Sequence, residues 1–245
     1  MKPLSAHDIV RIWELGLAQG PIDRALTILA PAFPELAREE IARLSLGQLN
    51  ARLFDVRERL LGPDLNCYAE CPRCRERLEF TIAVSAIRSV GPVVPEGQQQ
   101  EMSIEGLDLR FRLLNSLDLK ALTEATDKGA MRRLLAARCV LDARREGEEI
   151  PRDQLPETVI TALAARLSEC DPDAEVLLDL ECPSCKNGWQ TALDIVGFFW
   201  NELSAQVKRL LSEVHTIASA YGWRENEILA MSARRRHFYL ELISA

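Results

Sequence analysis

The sequence lacks any apolar run long enough to cross a bilayer, for which about 20 consecutive residues are needed. The longest apolar run, at residues 195–200, is far shorter, so we expect no membrane insertion. No apolar segment typical of a secretory signal follows Met1, and we therefore expect a cytoplasmic protein. An excess of basic charge is also missing, because the formal net charge is -7. This charge is unfavourable for a nucleic-acid coat or a binder of anionic membranes.

Motifs typical of common enzyme active sites are missing as well. The sequence contains no phosphate-binding glycine-rich loop, no Gly-x-Ser-x-Gly and no His-Glu-x-x-His. Its 3 histidines lie far apart along the chain, and its carboxylates show no paired arrangement beyond that of a solvated surface. We therefore predict that the protein is not an enzyme.

The composition is that of a globular protein whose cysteines are reduced. Of the 245 residues, 47% are hydrophobic, which is enough to bury a core without disulfides. The 7 cysteines are an odd number in a chain without an export signal. This favours metal ligands or buried thiols over a disulfide framework. Because histidine is scarce, a metal site must depend on cysteine.

Four of the cysteines form two pairs with the spacing of metal ligands. They are Cys71 and Cys74 in one Cys-Pro-x-Cys motif, and Cys182 and Cys185 in another. Two thiolates three residues apart bind one ion from a tight turn, and two such turns complete the four-thiolate tetrahedral shell that zinc prefers. All four ligands then come from the protein, and no position stays open for water or substrate. We therefore predict one structural Zn²⁺.

Alternating apolar residues predict β-strands around these pairs. The predicted strands lie at residues 78–84, 104–113, 176–180 and 189–195, with a loop at 91–100. Two cysteine turns that lead into strands make a zinc ribbon, but common ribbons separate their pairs by only about 15–20 residues. The larger separation here predicts a split ribbon with an insertion between its halves.

The cysteine pattern leaves other interpretations open. The four thiols could be buried without metal, or one pair could be the dithiol of an oxidoreductase, although that chemistry requires a strand–CxxC–helix arrangement. Cys67 could substitute as a ligand, whereas Cys139 and Cys170 are interpreted as buried thiols on helices. A zinc-ribbon adaptor for nucleic acid would need a basic surface. The candidates for that surface are Arg73, Arg75, Arg77 and Lys186.

Helical periodicity dominates the rest of the chain. Capping signals predict a helix at 46–61. Further helices are predicted in the middle of the chain at 117–126, with Ser116 as its N-cap, at 130–143 and from Pro156 onward. After Val196, apolar residues recur at gaps of three and four, which predicts one long helix ending at Gly222. Short helices at 224–231 and 233–243 follow.

The predicted fold class is α+β, with a small antiparallel β core of the split zinc-ribbon type. We predict five consecutive segments. They are an N-terminal helical segment (1–62), a first zinc knuckle with strands (63–115), a helical insertion (116–172), a second zinc knuckle with strands (173–195) and a C-terminal segment with the long helix (196–245).

The C-terminal segment also contains the candidate residues for binding a partner. They are Trp200, Tyr221, Trp223, Arg235 and Tyr239. Such aromatic residues fit either core packing or a docking surface. The run of three arginines at 234–236 is either a solvated face or a clamp for acidic groups on a partner protein.

A further set of motifs lies at residues 13–16, 23–25, 181–185, 194–200, 211–218, 221–229 and 232–240, together with Trp189. These motifs resemble the baseplate proteins of contractile-tailed phages and of phage-tail-like contractile injection systems in bacteria. Members of that family are baseplate or baseplate-hub proteins, or assembly chaperones of the hub. The resemblance implies a non-enzymatic structural or assembly role in the bacterial host cell. It implies baseplate, hub or tape-measure-like proteins as partners, and leaves open whether the chain stays in the finished particle.

Overall fold

The computed structural model describes residues 1–88, 97–124 and 127–244. In these parts of the chain the α-helices are α1 (Ala6–Gly16), α2 (Pro21–Ala32), α3 (Arg38–Arg43), α4 (Leu46–Leu61), α5 (Val84–Ile87), α6 (Ser116–Lys120), α7 (Lys128–Cys139), α8 (Glu157–Cys170), α9 (Ile195–Tyr221), α10 (Glu225–Leu229) and α11 (Ala233–Ser244). The strands are β1 (Asp64–Glu70), β2 (Arg77–Ala83), β3 (Gln100–Ile104), β4 (Leu107–Phe111), β5 (Val140–Arg145), β6 (Glu148–Glu149), β7 (Leu177–Glu181) and β8 (Gly188–Ala192). The α+β prediction is therefore confirmed, with small antiparallel sheets and a long helix near the C-terminus.

The chain forms two compact units. One consists of Met1–Ala37 and Asp194–Ala245, and the other of Arg38–Leu193. The predicted N-terminal helical segment, 1–62, is thus divided between them, with α1 and α2 in the first unit and α3 and α4 in the second. No helix in the described part of the chain has the length and hydropathy needed to span a membrane.

The first unit is built around α9. The predicted periodicity is confirmed, since its apolar stripe is buried against α1, α2, α10 and α11. The Asp194 carboxylate accepts a hydrogen bond from the Gly197 amide (3.0 Å) at the start of α9. Gly222 ends the helix with a φ of 67°, which glycine adopts without steric cost.

Trp200 belongs to the core of this unit and is only 8% exposed. The Arg24 guanidinium lies 4.5 Å from the centre of its ring. A Cβ atom at Gly16 would come within 2.3 Å of the same ring. Glycine is therefore required at position 16 because α1 and Trp200 are in direct contact.

We expect Gly16→Ala to lower the free energy of unfolding by about 1–3 kcal/mol, because the new methyl group overpacks the contact with Trp200. Denaturation by urea measures the change. Gly20→Ala is the matched control, since a Cβ there meets nothing within 4 Å, and replacing glycine by alanine at this N-cap position costs about 0.5–1 kcal/mol. Equal stabilities of the two variants would contradict the packing argument.

The second unit contains a four-stranded antiparallel sheet in the order β3-β4-β5-β6. Its core consists of buried apolar residues from the sheet and from α7 and α8, including Leu109, Phe111, Val140, Val159 and Leu163. The predicted strand region at 104–113 is in fact a hairpin. Glu105 and Gly106, with φ values of 50° and 74°, form the two-residue turn between β3 and β4.

The helix predicted at 130–143 is wrong only in its last four residues, 140–143. The helix α7 ends at Cys139, and residues 140–145 form β5 within the segment predicted as a helical insertion. Pairing with β4 and burial of Val140 and Ala143 outweigh the local helical tendency, because these contacts form only between segments distant in sequence.

Two other local predictions are changed. Asn115 rather than Ser116 caps α6, because its side chain accepts hydrogen bonds from the amides of Leu117 and Asp118. The helix predicted at 117–126 becomes α6 followed by a 3₁₀ helix at Ala121–Glu124, and its residues 125–126 lie outside the described residues. Residues 91–96 of the predicted loop also lie outside them.

Candidate metal centre

Each cysteine pair lies at the tip of a β-hairpin. In the first hairpin, β1 pairs with β2 up to Glu70 opposite Arg77. In the second, β7 pairs with β8 up to Glu181 opposite Gly188. Strands therefore lie on both sides of each pair. The strand β1 was not predicted, although its alternation of exposed and buried residues is visible in the sequence 64–70.

The two tips share one backbone conformation. In the first, the Arg75 amide donates to the Cys71 carbonyl (2.9 Å), and the Cys71 amide donates to the Glu76 carbonyl (2.9 Å). The same two bonds, both 3.0 Å, recur in the second tip between Lys186, Cys182 and Asn187. The residue after the second cysteine has a positive φ in both, 61° at Arg75 and 55° at Lys186. The hairpins are thus structural repeats.

The four Sγ atoms of the two hairpins converge. The sulfurs of Cys71, Cys74, Cys182 and Cys185 all lie within 4.8 Å of one another. Cys71 and Cys185 are 3.7 Å apart, and Cys74 and Cys182 are 3.6 Å apart. A tetrahedron of sulfurs at the usual zinc–sulfur distance has edges of about 3.8 Å, whereas a disulfide requires about 2.05 Å. The cluster therefore has the dimensions of a site for one metal ion.

Corresponding cysteines of the two hairpins are buried to a similar extent. Cys71 and Cys182, the first cysteine of each pair, are completely buried, whereas Cys185 is half-buried and Cys74 is exposed. Each close sulfur pair joins a buried cysteine of one hairpin to a more accessible cysteine of the other. One side of the cluster is thus open to solvent, which gives a chelator access.

The hydrogen bonds of the tips alter the acidity of the thiols. Burial raises the pKa of Cys71, but the amides of Cys74 and Arg73 and the neighbouring thiols lower it to about 7. A backbone hydrogen bond at Glu76 lowers the pKa of Cys74, but the neighbouring thiols and burial together raise it to about 12. Since thiolates are the metal ligands, binding of an ion at neutral pH must release protons from the cluster.

The helix α4 positions the base of the first hairpin. At its C-terminal end, Arg57 is 2% exposed and donates from Nη1 to the Gly62 carbonyl (2.6 Å), just before β1. Beyond β2, Arg88 returns to α4 and forms an ion pair with Asp55 (2.6 Å). The first hairpin is therefore attached to the C-terminal half of α4.

The N-terminal end of the same helix holds the base of the second hairpin. The Gly47 amide donates to the Asp171 carboxylate (3.0 Å), and the Asn50 side chain donates to the Asp173 carbonyl (2.9 Å). Burial raises the pKa of the Asp171 carboxyl despite its hydrogen bonds to Gly47 and Ser45. A Cβ at Gly47 would lie 2.1 Å from an oxygen of Asp171. The two hairpins thus start from opposite ends of α4 and meet at their tips.

The other cysteines lie apart from the cluster. Cys67 is 6% exposed on β1, opposite Phe80, and does not belong to the group of converging sulfurs. Burial raises the pKa of Cys139 to about 12, as expected for an inert thiol. Cys170 is half-buried at the end of α8, where its sulfur lies 3.8 Å from the Gln100 side chain.

The basic candidates near the tips are exposed. They are Arg73, Arg75, Arg77 and Lys186. Acidic residues accompany them, since Glu70 is opposite Arg77 in the strand register and Lys186 lies 3.8 Å from Glu181. The surface around the tips therefore carries both signs of charge.

Four of the five candidate partner-binding residues come together in the first unit. Tyr221 and Trp223 stack with ring centres 4.7 Å apart, and Tyr239 meets Trp223 edge-on at 4.8 Å. The Arg235 guanidinium lies 5.7 Å from the centre of the Tyr239 ring. Trp200 does not join them, because it is buried against Gly16.

Comparisons of the chain with protein-family models, with curated proteins and with solved structures find no match. The assignment of a function therefore begins with the geometry of the four cysteines and with the sequence motifs described above.

Proposed function

We propose that the chain is a non-enzymatic structural or assembly protein, a chaperone or adaptor, of the baseplate of a phage-tail-like contractile injection system. In this proposal one structural Zn²⁺ holds its second unit together. The observation that carries it is the convergence of four thiols from two hairpins whose cysteines are 108 and 114 residues apart in sequence.

The donor set supports zinc in a structural role. Four thiolates with tetrahedral spacing suit Zn²⁺ and iron, and exclude hard cations that prefer oxygen. All four positions belong to the protein, so the ion would have no open position for water or substrate. The paired hairpin tips support a zinc-ribbon-like centre whose two halves, the hairpins at 64–83 and 177–192, are separated by residues 84–176.

Because both hairpins are attached to α4, the metal centre would hold distant segments of the chain together. The helix has 16 residues and is therefore about 24 Å long. One hairpin starts at each end, and their tips meet. When bound, the ion would cross-link the tips and close a ring formed by α4 and the two hairpins. Such a ring keeps segments distant in sequence in one arrangement, as a scaffold requires.

The local structure is less favourable to the alternatives. A dithiol oxidoreductase requires a reactive cysteine at the start of a helix, whereas both pairs here lie at hairpin tips. A nucleic-acid adaptor requires a clustered basic surface, whereas the basic residues at the tips are mixed with Glu70 and Glu181. The baseplate assignment is supported by the sequence resemblance, which is most specific after residue 181.

The test is purification of the tagged full chain from its native host, followed by mass spectrometry of the bound proteins. We expect tail, hub or tape-measure-like proteins with the wild type and with Cys170→Ser. We expect none with Cys182→Ser, because loss of the metal strongly destabilises the second unit, whose fixed arrangement the scaffolding role requires.

Two outcomes would count against the proposal, each in a different part. A metal-free Cys182→Ser variant that keeps the same partners would show that the ion has no scaffolding role. A folded, metal-loaded wild type that never binds tail proteins would show that the baseplate assignment is wrong.

A further inference from the structure

Exposed apolar side chains lie together on one face of α11. Phe238 and Leu242 are 57% and 52% exposed, and their spacing of four residues puts them side by side on the helix. Tyr221, at the end of α9, is 38% exposed and its ring lies 5.5 Å from that of Tyr239. Contiguous exposed apolar side chains with polar residues around them are typical of sites that bind another surface.

The aromatic rings beside this face are held in place by one another. Tyr221 and Trp223 stack at 18° between their planes, and Tyr239 meets both nearly edge-on. The ring of Phe238 lies 6.1 Å from that of Tyr239. Because the rings are already ordered, a partner would lose little side-chain entropy on binding them. Trp, Tyr and Arg are also the residues that contribute most to binding energy at interfaces.

The charge of this region differs from that of the chain as a whole. Residues 196–245 contain 6 basic and 5 acidic residues, in a chain with a net charge of -7. The buried Arg236 is neutralised by Glu213 (2.8 Å), but Arg234 and Arg235 are exposed at the start of α11. Arg234 precedes Phe238 by one helical turn, so positive charge borders the apolar residues.

We propose that this surface docks an acidic segment of a partner protein, with apolar side chains that cover Phe238 and Leu242. The surface, which we call the α11 face, consists of Tyr221, Trp223, Arg234, Arg235, Phe238, Tyr239 and Leu242. The inference rests on the proposed role as a protein-binding scaffold component and names the chemistry of the partner.

Two other occupants fit the α11 face less well. Nucleic acid binding needs free ring faces on which bases stack, but Tyr221 and Trp223 stack on each other. A second copy docked through the same face would bring its own Arg234 and Arg235 against those of the first. Like charges at an interface are unfavourable, so the observations favour a different, acidic protein.

A photo-crosslinking amino acid at position 238 of the full chain, expressed in the native host, tests the inference. Mass spectrometry identifies the segment that is crosslinked. We expect a segment of another protein that is rich in Asp and Glu and contains apolar residues. Crosslinks to a second copy, to nucleic acid or to a segment without excess acidic charge would overturn the inference, as would the absence of any crosslink.

A synthetic peptide with the sequence of the crosslinked segment then serves as the probe. We expect the double variant Arg234→Glu/Arg235→Glu to weaken its binding at least tenfold, and Phe238→Ala/Leu242→Ala to do the same. Lys208→Glu/Arg209→Glu makes the same charge change on the exposed side of α9 and should leave the affinity unchanged. Equal effects of the two charge reversals would contradict a specific α11 face.

The result separates this inference from the proposed function. All these variants keep the four cysteines. Metal content and melting temperature equal to those of the wild type would show that the variants are folded. A crosslinked acidic segment from a protein unrelated to tails would support the α11 face and contradict the baseplate assignment. Tail proteins that still bind the Arg234→Glu/Arg235→Glu variant as tightly would contradict only the α11 face.

Discussion

Cys182→Ser is expected to lose the metal ion and to lower the melting temperature of the second unit by about 20–40 °C. Structural zinc sites contribute about 10 kcal/mol or more of folding free energy, and 1 kcal/mol corresponds to about 2–4 °C in a domain of this size. Elemental analysis and thermal unfolding followed by circular dichroism measure both changes. A chelator should lower the melting temperature of the wild type to that of the variant and leave the variant unchanged.

Cys170→Ser is the matched control for this experiment. It makes the same chemical change at a half-buried cysteine outside the sulfur cluster, so the variant should keep one equivalent of metal and nearly the wild-type melting temperature. Cys67→Ala should also keep the metal, because Cys67 lies apart from the four sulfurs. A Cys182→Ser variant that retains the ion and melts like the wild type would refute the metal centre. Detection of iron instead of zinc would support the metal centre and change only the identity of its ion.

Asp118→Asn is expected to lower the free energy of unfolding by about 3 kcal/mol. The Asp118 side chain is fully buried and accepts hydrogen bonds from Arg112 (2.6 and 2.8 Å) and Arg138 (2.9 Å). It also accepts one from the Asn115 amide (3.1 Å). Breaking a buried ion pair costs about 3–5 kcal/mol, and we expect the lower value because solvent partly screens both arginines. Urea denaturation at pH 7 measures the loss.

Glu157→Gln is the control for that substitution. It also replaces a carboxylate with an amide, but Glu157 is 53% exposed and its distance to Arg133 is 3.2 Å. An exposed pair contributes about 1 kcal/mol or less. A loss at Asp118 no larger than that at Glu157 would show that the buried network does not stabilise the fold.

The stabilisation by Asp118 should disappear at low pH. Burial raises the pKa of its carboxyl, but Arg112, the Asn115 amide and Arg138 hold the pKa below the usual range. A carboxyl whose folded-state pKa is depressed stabilises the protein fully above its unfolded pKa of about 4, and this stabilisation is lost as the pH falls through the folded-state pKa. The wild type and Asp118→Asn should therefore differ in stability at pH 7. The difference should shrink as the pH falls below about 4 and disappear only below the folded-state pKa of Asp118.

Asp118 is an example of a residue whose structural role cannot be predicted from the sequence. In the sequence it is one acid in a short amphipathic stretch, with no spacing that links it to Arg112 or Arg138. The network exists because β4, α6 and α7 bring the three side chains together in space. The strand β5 likewise depends on tertiary contacts. Its residues continue a helical pattern in the sequence and form a strand only through pairing with β4.

Features whose signal is local and periodic could be predicted from the amino-acid sequence alone. The spacing of apolar residues predicted the helix α9. The spacing within each cysteine pair predicted the metal ligands Cys71, Cys74, Cys182 and Cys185. Which distant segments contact one another became known only from the folded structure. It placed the cysteines at the tips of two hairpins attached to opposite ends of α4, buried Trp200 against Gly16, and left Phe238 and Leu242 exposed. The physical reason is that burial and pairing depend on partners far away in the chain, which local periodicity does not encode.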